Sequence, residues 1–256
     1  MSPLERYQAQ IDSGEMLADP AQRAVIGRLD DLFHRLITRE IASRVAVNPI
    51  SALINRWFGS PVPVEQGLYL WGGVGRGKTM LMDLFCACLP EARRQRMHFH
   101  RFMRRVHEGL GRHEGHANPL RKVADELAAD ADVLCFDEFF VSDIGDAMIL
   151  GEVLTALFER GVTLVATSNV EPQYLYKNGL QRSRFLPAIA ELYAHCDVHE
   201  VEHGQDFRLR TLRQARLYHF PLGDAAQSSL QQSFQAPASD REKIGSKLRI
   251  ENRYIE

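Results

Sequence analysis

The chain has 256 residues, of which 45% are hydrophobic and 25% are charged, the composition of an ordinary soluble globular protein. Its formal net charge of −2 excludes an overall electrostatic attraction to nucleic acid or to an anionic membrane, so we expect no direct nucleic-acid partner. No apolar run approaches the length of a membrane span, and residues 1–7 lack the apolar core of a secretory signal. The cysteines have neither zinc-ligand nor redox spacing, which indicates core residues of a reduced cytoplasmic protein: Cys86, Cys88, Cys135 and Cys196.

Two helices are predicted at the N-terminus, over residues 3–18 and 20–45. The second begins at the helix-start signal Asp19-Pro20 and carries apolar residues at helical spacing. Residues 57–59 close a further short helix, and the proline-containing breaker at residues 60–63 ends a helical N-terminal segment, residues 1–60. Such a segment either covers the core that follows or holds a partner, and the sequence does not separate the two.

Residues 72–79 fit the phosphate-binding pattern G-x-x-x-x-G-K-S/T, the P-loop. A buried strand is predicted before the loop and a helix after it, as the motif requires; the alternative is a glycine turn that happens to carry Lys-Thr. Glycines let backbone N–H groups turn toward phosphates, and a helix N-terminus adds partial positive charge. We expect Lys78 to reach the β- and γ-phosphates of ATP and Thr79 to ligate Mg²⁺. The predicted nucleotide-binding residues are Gly72, Gly73, Val74, Gly75, Arg76, Gly77, Lys78 and Thr79.

From Gly67 onward, strands and helices alternate, which predicts a mostly parallel sheet. Residues 97–103 are predicted as the second strand of this sheet. Residues 93–116 are rich in histidine and arginine, which indicates a solvated basic face or a partner-binding loop. Their loose spacing does not favour a metal site. His100, at the predicted strand end, is expected to lie near Glu138 and to position it.

The third strand is predicted over residues 132–138 and ends in Asp137 and Glu138. Ligands of parallel sheets bind at the carboxyl ends of strands, where we expect Asp137 to hold the Mg²⁺ shell. Glu138 is expected to polarise a water molecule against the γ-phosphate, which favours hydrolysis over binding alone. The alternative is an acidic strand end that caps the next helix, predicted over residues 143–160.

The fourth and fifth strands are predicted over residues 162–169 and 197–202. Asn169 is expected to hydrogen-bond the γ-phosphate or the attacking water, unless it is an ordinary turn asparagine. Arg182 or Arg184 suits the charge that develops on a transferred phosphoryl group, and one of them is expected to act across a subunit interface. Two solvated arginines at a helix start are the alternative.

The character of the chain changes toward its C-terminus. Residues 221–240 are rich in Gln, Ser, Ala and Pro, which predicts a linker or disorder. Residues 247–255 alternate polar and apolar side chains and predict a half-buried strand with no evident partner strand. The predicted organisation is therefore a helical segment at residues 1–60, a P-loop core with a five-stranded parallel sheet at residues 61–212, and a linker with the start of a further portion at residues 213–256.

Several stretches resemble the ZapE-type cell-division ATPases, an AAA+ family that includes mitochondrial relatives, and the resemblance extends from residue 4 to residue 215. The matching stretches are residues 72–83 (GGVGRGKTMLMD), 98–103 (HFHRFM), 136–139 (FDEF), 143–144 (DI), 146–148 (DAM), 166–169 (ATSN) and 179–189 (GLQRSRFLPAI). The resemblance implies an AAA+ ATPase that acts on polymers of the tubulin-like protein FtsZ at the division ring. It also implies that Asn169 is the sensor and that the arginine finger is Arg184, with Arg182 second. The chain departs from the family at its end, where the family has lid-like helices and a further nucleotide-sensing arginine.

A second hypothesis, from a different class, is a nucleotide-gated binding module such as a helicase loader, in which ATP controls a partner. The sequence contains no Asn-Lys-x-Asp, which disfavours a GTPase, and the Asp-Glu-Phe-Phe sequence does not resemble a DEAD-type helicase. The family-specific stretches favour the enzyme.

Overall fold

The computed structural model describes residues 1–45, 64–201, 248–250 and 253–255. The chain divides into two compact units, Met1–Gly204 and Gln205–Glu256. The predicted domain boundaries at residues 60/61 and 212/213 lie outside the described residues. The short helix closed by residues 57–59 and the linker at residues 221–240 lie outside them as well.

The sheet of the first unit consists of β1 Gly67–Trp71, β2 Arg94–His98, β3 Val133–Asp137, β4 Thr163–Ser168 and β5 Cys196–Glu200. Its strands are parallel and lie in the order β2-β3-β4-β1-β5, which confirms the predicted five-stranded parallel sheet. In the register, Leu68 of β1 lies opposite Val165 of β4 and Asp197 of β5. Because all the strands run in one direction, the residues that follow β1, β3 and β4 meet at a single edge.

The described helices are α1 Pro3–Asp12, α2 Pro20–Val45, α3 Lys78–Cys88, α4 Phe99–Arg112, α5 Pro119–Asp130, α6 Ile144–Glu159 and α7 Leu186–His195. They build two hydrophobic cores, because successive side chains of a strand point to opposite faces. In β3, Leu134 and Phe136 pack with α4 to α7, whereas Val133 and Cys135 pack with α1 to α3. Of the helices in the described ranges, none is both long and apolar enough to cross a membrane.

Polar caps set the ends of the N-terminal helices. Ser2 and Glu5 form a reciprocal capping box at the start of α1, and Asp19 accepts hydrogen bonds of 2.8 and 3.0 Å from the first turn of α2. Helix α1 ends at Asp12, earlier than the predicted residues 3–18. Gly14 explains the difference, since it adopts φ +78° shortly after the helix, a conformation that terminates helices.

The predicted second strand, residues 97–103, is wrong over most of its length. The strand β2 comes earlier and ends at His98, and α4 begins at Phe99. The reason lies in the spacing of the apolar residues, which recur at helical intervals and are all buried: Phe99, Phe102, Met103 and Val106. Strand β2 itself has no apolar run, because it lies at the edge of the sheet and carries polar side chains.

The second unit contains a correction as well. Residues 247–255 were expected to form one strand without an evident partner. The structure has two short antiparallel strands, β6 Leu248–Ile250 and β7 Arg253–Ile255, paired with each other. Backbone N–H and C=O groups need partners, and each of these two strands supplies partners to the other.

The contact between β1 and β4 makes Gly67 a sensitive position. A Cβ atom there would lie 1.9 Å from the carbonyl oxygen of Leu164, which is backbone and cannot move aside. Gly67→Ala is therefore expected to lower the free energy of unfolding by about 3 kcal/mol or more. The matched control is Gly27→Ala in α2, where an added Cβ meets nothing within 4 Å and is expected to stabilise by about 1 kcal/mol. Urea denaturation of both variants measures the difference, and equal effects would contradict the steric explanation.

Candidate active site

The loop between β1 and α3 requires glycine at three positions. Gly72, Gly75 and Gly77 have φ values of 144°, 80° and 81°, which residues with a Cβ atom rarely adopt. A Cβ at Gly72 would lie 2.8 Å from the Val201 carbonyl oxygen, and one at Gly77 would lie 2.8 Å from the Gln22 amide nitrogen. The loop thus lies against the backbone that follows β5 and against the first turn of α2.

Lys78 begins α3 and is buried, with only 7% of its surface exposed. Its Nζ donates hydrogen bonds to the carbonyl oxygens of Gly72 (2.8 Å) and Gly73 (2.7 Å) and to Asn169 Oδ1 (3.1 Å). Among the described residues, no side chain caps the N-terminus of α3, so the partial positive charge of its first N–H groups is not neutralised by a side-chain cap. The loop, the lysine and the helix end therefore form a site that attracts an anion such as a phosphate.

Asp137, the last residue of β3, connects four elements. Its Oδ1 accepts hydrogen bonds from Thr79 Oγ1 of α3 (2.9 Å), Thr167 Oγ1 of β4 (2.8 Å) and the Glu138 N–H (3.1 Å). Its Oδ2 accepts a hydrogen bond of 3.1 Å from Arg96 Nη2 of β2. Both oxygen atoms of this nearly buried carboxylate are consequently held in place.

Burial and hydrogen bonding act on the Asp137 carboxyl in opposite directions. Burial alone would raise its pKa, because the charged form loses hydration. Hydrogen bonds from Thr167 and Thr79, together with the charge of Arg96, outweigh burial and hold the pKa below its ordinary value. Asp137 is therefore an ionised carboxylate at neutral pH.

Glu138 follows β3 with φ +54°, a conformation that is strained for a residue with a side chain. The turn is fixed on both sides, since the Phe139 N–H donates to the Thr167 carbonyl (2.7 Å) and Ser168 Oγ donates to the Phe139 carbonyl (2.7 Å). The Glu138 side chain is exposed and forms no hydrogen bond or ion pair with the residues that the structure describes. The strained turn thus presents an unpaired carboxylate at the sheet edge where Lys78 lies.

Arg182 and Arg184 lie in a short 3₁₀ turn before α7. Arg182 donates a hydrogen bond of 2.6 Å to the Gln173 carbonyl oxygen, whereas the Arg184 side chain is exposed and unpaired within the described part of the chain. Neither arginine forms a hydrogen bond or ion pair with Lys78 or with the described acidic residues of the site. The structure thus brings together Lys78, Thr79, Asp137 and Asn169 but not the arginines.

The histidine- and arginine-rich segment carries solvent-exposed charged side chains, as predicted, but acidic partners neutralise much of its positive charge. Its pairs are Arg93–Asp132, Arg96–Asp83, Arg104–Glu108, Arg105–Asp130, His107–Asp146, Arg112–Glu126 and His113–Glu126. His100 does not lie at a strand end, because it occupies the first turn of α4, where its ring stacks on that of His98. His98 ends β2 instead, with Nδ1 3.8 Å from Asp137 Oδ2.

Arg96, Asp83 and Thr167 contact the site or its partners but were not predicted from the sequence. Asp83 carries one signal, since it lies four residues after Thr79 and so on the same face of α3. No sequence feature predicts the contacts of Arg96 and Thr167 with Asp137, because they depend on the pairing of β2 and β4 with β3.

Comparison with known proteins places this geometry in a family. The model of the AFG1-like ATPase family matches residues 1–256. Cell division protein ZapE of Escherichia coli K12 is 46% identical over 257 residues, which cover 99% of this chain and 68% of that protein. Lactation elevated protein 1 homolog B of Danio rerio is 42% identical over 183 residues, or 66% of this chain and 36% of that protein.

Solved structures with a similar course of the chain share little sequence with it. AMPPCP-bound DnaA from Aquifex aeolicus is 14% identical, with a TM-score of 0.48 over 86% of this chain and 61% of that chain. The DnaC helicase loader is 15% identical, with a TM-score of 0.47 over 77% of this chain and 99% of that chain. The match of the family model along the whole sequence, together with the identity to ZapE, shows that the chain belongs to the AFG1-like ATPase family.

Proposed function

We propose that the residues around Asp137 bind ATP with Mg²⁺ and hydrolyse it, and that turnover remodels FtsZ polymers at the division ring. The observation that carries the proposal is the hydrogen bond of 2.9 Å from Thr79 Oγ1 to Asp137 Oδ1. It joins the phosphate-binding loop to the acidic end of β3, the arrangement that phosphoryl transfer needs. Membership of an ATPase family supports the reaction.

The side chains present fit Mg²⁺. The Thr79 hydroxyl donates a hydrogen bond to Asp137, which leaves the oxygen lone pairs of Thr79 available to a cation, and Asp137 is ionised. Mg²⁺ prefers oxygen ligands and takes only a few from the protein, the rest coming from water and phosphates. Among the described residues, no three His, Cys, Asp or Glu side chains form a metal-binding group. We assign Thr79 as a direct ligand and Asp137 as the holder of the metal's water shell, where the metal neutralises phosphate charge.

The remaining residues of the site have distinct proposed roles. The loop N–H groups and Lys78 bind the β- and γ-phosphates. Glu138 accepts a proton from the water molecule that attacks the γ-phosphorus, for which its exposed, unpaired carboxylate is suited. Asn169 orients the water or the γ-phosphate, and its hydrogen bond to Lys78 holds it at the sheet edge.

The proposal includes self-association through the arginine finger. Arg184 is exposed and forms no hydrogen bond or ion pair with the site residues in the described part of its own chain, which leaves its side chain available to the nucleotide of a second copy. The adjoining turn presents Leu180 with 73% of its surface exposed, and it is braced by the hydrogen bond from Tyr176 Oη to the Leu180 carbonyl. Tyr176 and Gln181 both have positive φ, a strain that is retained where a surface has a function. Arg184 is therefore our preferred finger and Arg182, already bonded to Gln173, the second choice.

The cellular role rests on the relative named as a cell division protein. We propose that this chain acts in the cytoplasm at the division site with FtsZ as its partner, and the identity to a cell division protein supports this proposal. The ATPase rate at increasing protein concentration, with and without FtsZ polymers, tests this role. We expect the polymers to raise the rate, with Glu138→Gln as the control for contaminating activity. Stimulation by DNA and not by FtsZ would contradict the proposed partner and favour the helicase-loader alternative.

Glu138→Gln is expected to bind ATP with nearly unchanged affinity and to hydrolyse it roughly 10²- to 10⁴-fold more slowly, because a carboxamide cannot accept the proton. Equilibrium binding and single-turnover hydrolysis measure the two effects separately. The matched control is Glu152→Gln, an exposed glutamate on α6, which is expected to leave both quantities unchanged. Normal turnover in Glu138→Gln would place the base elsewhere.

Mixing two inactive variants tests whether the finger acts in trans. Arg184→Ala and Lys78→Ala are each expected to lose most of the ATPase rate, since one lacks the finger and the other lacks the phosphate contact. A mixture is expected to recover part of the rate, because Lys78→Ala supplies Arg184 to the intact site of the other variant. The double variant Lys78→Ala/Arg184→Ala is the control and should rescue nothing. If no mixture recovers at high protein concentration, the finger does not act between copies.

A further inference from the structure

Arg96 contacts Asp137 but has no role in the reaction proposed above. Its Nε and Nη2 donate to the two oxygens of Asp83 at 2.8 and 3.4 Å, and the same Nη2 donates to Asp137 Oδ2 at 3.1 Å. One guanidinium therefore bridges a carboxylate of the loop helix α3 and the carboxylate that ends β3. Its side chain is only 31% exposed, so water competes with this bridge less than at an open surface.

The bridge completes the restraint on Asp137. Oδ1 is held by the hydroxyls of Thr79 and Thr167, while Oδ2 is held by Arg96. A carboxylate fixed on one oxygen alone is free to tilt about that contact, whereas one fixed on both is not. Asp83 in turn fixes Arg96, because a guanidinium presents its donors as a rigid planar fork. A lysine has the charge but not the fork and cannot make this bridge with one rigid group.

We propose that Arg96 is a positioning residue that, braced by Asp83, holds Asp137 with Oδ1 toward Thr79 and so sets how strongly Mg²⁺ tightens nucleotide binding. The inference rests on the proposed Mg²⁺–nucleotide site at Thr79 and Asp137. Arg96 touches neither substrate nor metal in this role and acts only through Asp137.

A positioning role and a purely electrostatic role predict opposite results. A cation beside Asp137 lowers the negative potential there, so its charge alone would weaken Mg²⁺ binding and its removal would strengthen it. Loss of positioning instead lets the Asp137 carboxylate tilt away from Thr79, which weakens the contribution of Mg²⁺ to nucleotide affinity. A role confined to the stability of the fold changes nucleotide affinity equally with and without the metal.

The experiment measures the Kd of a fluorescent N-methylanthraniloyl derivative of AMPPCP in EDTA and in saturating Mg²⁺. The readout is the Kd in EDTA divided by the Kd in Mg²⁺, so a larger ratio means that Mg²⁺ tightens nucleotide binding more. We expect Arg96→Ala to lower this ratio about tenfold, as is typical when a partner behind a metal ligand is lost. Arg96→Lys is expected to lower it as well, because it keeps the charge but not the bridge. An unchanged or larger ratio in Arg96→Ala, or full restoration by Arg96→Lys, would overturn the proposal.

Two further variants keep the test independent of folding. Asp83→Asn leaves Arg96 in place without its carboxylate brace and is expected to lower the ratio in the same direction but by less. Arg105→Ala is the matched control, since Arg105 joins Gln95 of β2 to Asp130 of α5 and does not contact Asp137. Its ratio should equal that of the unmodified protein. If Mg²⁺ fails to tighten binding in the unmodified protein, the proposed metal site itself is wrong, which is distinct from failure of the Arg96 proposal.

Discussion

The carboxylate of Asp137 is the interaction on which the arrangement of the site depends. It is the one group at the sheet edge that accepts hydrogen bonds from α3, from β4 and from β2 among the described residues. Burying a charge is costly unless it is fully hydrogen-bonded, and here the donors outnumber the oxygens. The same donors that make the buried charge tolerable also orient it, so stability and function are obtained from one set of contacts.

Strained backbone conformations occur at the same edge of the sheet as the hydrogen-bonded Asp137. The loop before α3 contains glycines in left-handed conformations, and Glu138 adopts a positive φ without being glycine. Such conformations persist only where the surrounding packing determines them. Here the flanking residues supply that packing, since Phe139 is fully buried and Lys78 is held by loop carbonyls. The sheet therefore presents two exposed polar side chains, Glu138 and Asn169, at defined positions.

The N-terminal helices belong to the same construction. They share a hydrophobic core with α3, and Gln22 at the start of α2 lies against the loop at Gly77. Because α2 packs on α3 and contacts the loop before it, α2 restrains that loop without contributing a charge to the site. Arg182 and Arg184 lie elsewhere, in the 3₁₀ turn before α7, so the proposed reaction would combine the site of one copy with Arg184 of a second copy. Under that proposal, hydrolysis would depend on the assembly of copies.

The sequence by itself determined the glycine-rich loop between a strand and a helix, the acidic strand end at Asp137 and Glu138, the position of Asn169 after the fourth strand and the alternation that builds a five-stranded parallel sheet. These features are local, since a loop motif, an apolar run and the residue after it are contiguous in the chain. The start of β2, the pairing of β6 with β7 and the partners of Asp137 were decided only by the tertiary structure. An edge strand with polar side chains has no apolar signature, and Arg96 reaches Asp137 only because β2 pairs with β3 in a register that places Arg96 opposite Cys135. Contacts between residues far apart in the chain follow from that register, which a single sequence does not encode locally.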